Sequence, residues 1–126
     1  MKLTGLLLVG AGGFAGAIAR YLVGVLLGPR QGRDWPWATF VINVVGCALI
    51  GLFFGLASAR PALPDGWRLL FPIGFVGAFT TFSTYAFETV QLVEAGAFGR
   101  AAAYVALSTL LGYGAVLVAF AGARRL

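Results

Sequence analysis

Four apolar runs set the terms for this chain. They cover about Leu3 to Leu27, Pro36 to Ala59, Leu69 to Ala95 and Ala101 to Gly122, with short polar connections between them. Crossing the hydrocarbon core of a bilayer as a helix takes about 20 apolar residues. The pattern therefore predicts an all-α integral membrane protein, a single domain of four transmembrane helices over residues 1–126. Hydrophobic residues make up 60% of the chain, more than a soluble domain of this length could bury.

The rest of the composition narrows the function. Only Asp34, Asp65, Glu88 and Glu94 are acidic, and histidine is absent. The net charge of +5 comes from basic residues at the ends of the runs, a pattern of membrane anchoring that argues against nucleic-acid binding. An enzyme is not expected: there is no histidine to activate a serine, and the single Cys47 has neither a base nor a disulfide partner. Ala15-Gly16-Ala17 would serve as a signal-peptide cleavage site, but the apolar run continues ten residues beyond it to Gly28-Pro29. That length predicts a first membrane helix instead.

Each run carries features of its own. Gly12 and Gly16 in the first, and Gly51 and Gly55 in the second, form small faces suited to close helix contact, and such faces on two helices suit a dimer. Arg20 lies roughly 10 Å inside the far end of the first helix, where its stem could let it snorkel to the interface. Asn43 sits two turns inside the second, as a crosslink to a neighbouring helix or as a donor to a ligand. Trp35, Trp37 and Trp67 mark interface belts. Pro61, Pro64, Asp65 and Gly66 read as turn residues. Lys2, Arg60, Arg68, Arg124 and Arg125 flank one side of the membrane and Arg30, Arg33 and Arg100 the other. The positive-inside rule thus gives a weak vote for cytoplasmic termini, and a chain so evenly charged suits insertion both ways.

The third run holds the unusual chemistry. From Gly74 to Glu88 it collects two glycines, four hydroxyls and several rings, and it ends on a carboxylate. Irregular backbone at membrane depth is tolerated only where it is buried in protein or lines a wet cavity, so an interruption is expected near the Thr80-Thr81 pair. Phe79, Phe82 and Tyr85 recur every three residues on one face, beside Thr80, Thr81, Ser83 and Thr84. Tyr104, Ser108 and Gly112 follow at helical spacing in the fourth run. Hydroxyls, amides and ring edges all present partial positive charge. With Arg20 at one end and almost no full negative charge along the runs, they suggest an anion pathway in which donors replace hydration.

Three stretches together resemble the small bacterial fluoride channels, the Fluc (CrcB) family. They are Gly12-Gly13-Phe14-Ala15-Gly16-Ala17 with Arg20, Val41-Ile42-Asn43-Val44-Val45-Gly46, and Gly74 through Thr84. The resemblance implies an inner-membrane, dual-topology homodimer of antiparallel subunits. It would enclose two pores that export fluoride passively and relieve its toxicity. It also implies a third helix broken near mid-membrane, with carbonyls of Gly77 and Thr80 holding a structural Na⁺ at the dimer centre. The fluoride pathway would use Asn43, Phe82, Tyr85, Ser83, Thr84, Tyr104, Ser108, Arg20 and Glu88. Two departures stand out: Tyr85 where the family usually has phenylalanine, and Gly112 where serine is common. The alternative is a small proton-coupled multidrug transporter of the four-helix, dual-topology type, which needs a carboxylate in its first helix. None is present in Leu3 to Leu27.

Overall fold

The computed structural model describes residues 3–28, 35–60 and 63–126. The expectations for Lys2, Pro29, Arg30, Arg33, Asp34 and Pro61 lie outside them. Helix α1 covers Leu3–Leu27 and α2 covers Trp37–Ala59. Pro36 precedes α2, and its carbonyl accepts from the Phe40 N–H at 3.0 Å, so the proline sits where its missing donor costs nothing. The third crossing is built in pieces: α3 over Asp65–Arg68, a π-helical stretch over Leu69–Val76, α4 over Gly77–Phe79 and α5 over Phe82–Glu94. Helix α6, Phe98–Ala123, completes four helical spans long and apolar enough to cross a bilayer among the described residues.

Two boundaries differ from the sequence reading. The third span begins at Asp65, not Leu69, because the Pro64 carbonyl accepts from the Trp67 N–H and a carboxylate suits a helix start. The fourth begins at Phe98, not Ala101. Gly96 takes the left-handed φ of +70°, which ends α5 and reverses the chain within three residues. The π-helical stretch was not expected at all. Pro72 lies within it and has no N–H to give, so the helix is already short of one bond there and a wider turn is favoured.

Close backbone contacts assemble the spans into two pairs. On α1, a methyl group added at Gly12 would strike the Leu70 carbonyl, and one at Gly16 the Phe75 carbonyl. On α2, a Cβ at Gly55 would lie 2.6 Å from both the Phe120 carbonyl and the Ala123 methyl, and Gly51 meets the Val116 backbone. So α1 packs on the first half of the third span, and α2 on α6. Both glycine faces are therefore consumed inside the chain, which corrects the expectation that they serve a dimer contact. Small residues permit close approach, but the pattern does not say to which helix.

A ladder of rings runs between the pairs. Phe53, Phe71, Phe75 and Phe79 stack in sequence with centroids 5.6–5.8 Å apart. Phe79 is 5% exposed and belongs to this ladder, whereas Phe82 is 79% exposed on the other side of the break. The single stripe of Phe79, Phe82 and Tyr85 does not form. Thr80 and Thr81 are extended, with ψ of 161° and 119°, and extended residues advance the chain without helical rotation.

Candidate functional site

The break at Thr80 and Thr81 is held by side chains from three spans. An unbroken helix would close the Gly77 carbonyl with the Thr81 N–H. That N–H instead donates to Asn43 Oδ1 at 2.9 Å, while Asn43 Nδ2 donates to the Thr81 carbonyl at 3.0 Å. The Thr80 carbonyl would be closed by the Thr84 N–H, but this one caps α5 by donating to Thr81 Oγ1 at 3.3 Å. Arg20 Nη1 comes to the Thr80 carbonyl at 3.4 Å. Asn43 is thus the crosslink of the two readings offered above, with one amide N–H left over. Arg20 turns inward to the break and does not snorkel to the interface.

This arrangement bears on the cation implied by the resemblance. The Gly77 and Thr80 carbonyls have both lost their helical donors, and Gly77 is exposed beside an open cleft of about 350 Å³ that Thr80, Asn43 and Phe82 also line. Neutral carbonyl oxygens suit a hard cation. No group of three His, Cys, Asp or Glu side chains could hold a metal among the described residues. The two carbonyls of Gly77 and Thr80 would be the oxygens to hold such a cation, and Arg20 Nη1 competes with it for the Thr80 oxygen.

The remaining sequence-derived residues divide between two faces of α5. Asn43, Phe82, Tyr85 and Ser108 line a cleft of about 320 Å³ with Cys47, Thr109 and Gly112. The Ser108 hydroxyl there is buried without a hydrogen-bond partner. On the other face, Arg20, Thr84 and Glu88 line a cleft of about 270 Å³ with Thr39 and Thr81. Ser83 is exposed, and its Oγ lies 3.4 Å from Thr81 Oγ1.

Glu88 and Tyr104 join the two faces. Glu88 Oε1 accepts from Thr39 Oγ1 at 2.9 Å, and Oε2 accepts from the Tyr104 hydroxyl at 2.8 Å. Tyr104 is fully buried; its ring leans on Tyr85 at 5.1 Å, and Trp35 covers it edge-on at 5.5 Å. Phe82 and Tyr85 lie 5.7 Å apart at 45°. The sequence reading missed Thr39 as a site residue. Its position one turn before Asn43 on α2 was the available signal.

The fold and site thus define a class: a protein of four spans long and apolar enough to cross a membrane, whose third span breaks midway along its length and gathers neutral donors and rings around the break. The chain belongs to the CrcB family. The family model described as "CrcB-like protein, Camphor Resistance (CrcB)" matches residues 7–122. Several curated relatives carry the name fluoride-specific ion channel FluC. The one from Nitrobacter winogradskyi is 45% identical over 117 residues, covering 93% of each chain. That of Acidobacterium capsulatum is 47% identical over 108 residues and 86% of each chain, and that of Caulobacter sp. strain K31 is 41% identical over 125 residues and 98% of each. Their names describe ion channels and not enzymes. Four spans and membership in this bacterial family fit a multi-pass protein of the inner membrane.

Proposed function

We propose that the chain forms a fluoride-selective anion channel that exports fluoride passively and so relieves its toxicity. The observation that carries this reading is the cleft where Asn43, Phe82, Tyr85 and Ser108 meet. Its lining offers an unpartnered hydroxyl, a spare amide N–H and the rings of Phe82 and Tyr85, and it includes no carboxylate. Fluoride is small and strongly hydrated, so donors at close range must replace its water. Ring edges carry partial positive charge, so rings turned edge-on favour an anion and oppose a cation. The names of the relatives point the same way.

The channel is a homodimer of oppositely oriented subunits with two pores. Phe82 at 79% exposure leaves its cleft open on one side, and a second copy is the partner that closes it. The carbonyls of Gly77 and Thr80 hold a structural Na⁺ at the dimer centre. When bound, that ion supplies positive charge between the two breaks and fixes the carbonyls facing it. Arg20 keeps positive charge near the break, and Ser83, Thr84 and Tyr104 extend the polar route toward Glu88.

The test is fluoride efflux from liposomes containing the purified protein, read with a fluoride electrode and with chloride as the control anion. Efflux of fluoride alone is expected, and Asn43→Ala or Phe82→Ala should slow it. Equal efflux of both anions would refute the selectivity. No efflux from well-folded protein, unrelieved by Tyr85→Phe, would refute the channel and turn attention to proton-coupled drug export.

A further inference from the structure

We infer that Gly46 is a positioning residue for the broken helix, leaving the gap into which Thr80 folds its methyl group and so fixing where the Thr80 carbonyl points. Gly46 is buried on α2, and a Cβ there would run into Thr80 Cγ2. Thr80 has little freedom to move aside. Its N–H and its Oγ1 both donate to the Val76 carbonyl, each at 3.0 Å. With the hydroxyl committed, a staggered side chain leaves the methyl one direction, toward Gly46. One residue further on, Asn43 holds both backbone groups of Thr81.

Helix α2 therefore grips the break at two successive points. Asn43 does so by hydrogen bonds, and Gly46, three residues later on the same face, by absence. A methyl group at position 46 would push Thr80 outward while Thr81 stays tied. The group displaced is the carbonyl between them, which accepts from Arg20 and is one of the two oxygens assigned to the cation. The cation and transport parts of this inference rest on the channel reading above; the packing part does not.

The geometry names its own rescue. Without Thr80 Cγ2, the nearest atoms to a Cβ at position 46 are Thr80 Cβ at 3.6 Å and Phe79 Cδ1 at 3.7 Å, both ordinary contacts. Thr80→Ser removes the obstructing methyl and keeps the hydroxyl that binds Val76.

The experiment compares wild type, Gly46→Ala, Thr80→Ser and the double variant by fluoride efflux and by thermal stability across a Na⁺ titration. Gly46→Ala should slow efflux by about tenfold or more, the scale expected of overpacking, and move the Na⁺ midpoint upward. Thr80→Ser serves as the reference for the double variant, which should come within about twofold of it, since contacting residues are coupled. Wild-type behaviour of Gly46→Ala overturns the inference, as does a double variant no better than Gly46→Ala. If Gly46→Ala fails to fold, a folded double variant supports it and an unfolded one overturns it. A wild type that passes no fluoride would defeat the channel reading alone, and the stability of the four proteins would still decide the role of Gly46.

Discussion

Asn43 shows how much one side chain can settle. Its amide meets both the N–H and the carbonyl of Thr81, a residue that is itself buried. Truncation to alanine would leave two polar groups without partners, at about 1–3 kcal/mol for each. Unfolding in detergent should therefore report a loss of about 2–6 kcal/mol. The Glu88 clamp makes a second test. Tyr104→Phe and Thr39→Val each remove one hydroxyl from the carboxylate, and hydrogen bonds to a carboxylate are worth about 1.5–3 kcal/mol. The double variant should depart from the sum of the two, because both act on one group. A strictly additive pair would mean that the two hydroxyls act independently of each other.

At the scale of elements, glycine positions should divide sharply by what faces them. Gly16→Ala drives a methyl into the Phe75 carbonyl and should destabilise by about 1–3 kcal/mol or more. Gly10→Ala has nothing within 4 Å and should stay within about 1 kcal/mol of wild type. Thermal unfolding of the two variants side by side would check this. The contrast also marks what the sequence could say. The interruption at Thr80-Thr81 was legible because glycines and hydroxyls inside an apolar run have no place in a lipid-facing helix. The widened turn at Pro72 was overlooked, although a proline inside a helix was its visible signal. Phe79 was joined to Phe82 and Tyr85 because helical spacing was carried across residues that are not helical. The glycine faces were recognised as contact faces, yet periodicity along one helix carries no address for its partner. Ser108 and Tyr104 could be placed on one face of α6, whereas the pairing of Tyr104 with Glu88 depends on how α5 lies after the break.

For the whole molecule, the distribution of arginines sets a test of insertion. Replacing Arg124 and Arg125 with glutamine removes the excess on the side of the termini, leaving three basic residues on either side. If the chain inserts both ways, a terminal tag should become more accessible from outside the cell, because basic flanks bias orientation. An unchanged tag pattern would argue against two-way insertion. The break itself carries a wider consequence. Where Thr80 and Thr81 leave the helix, the N–H groups of Thr81 and Thr84 are taken up by Asn43 and by the threonine cap, and Arg20 comes to the freed Thr80 carbonyl. A bend tied at these points by three spans is a fixture and not a hinge, one that holds its open carbonyls in place.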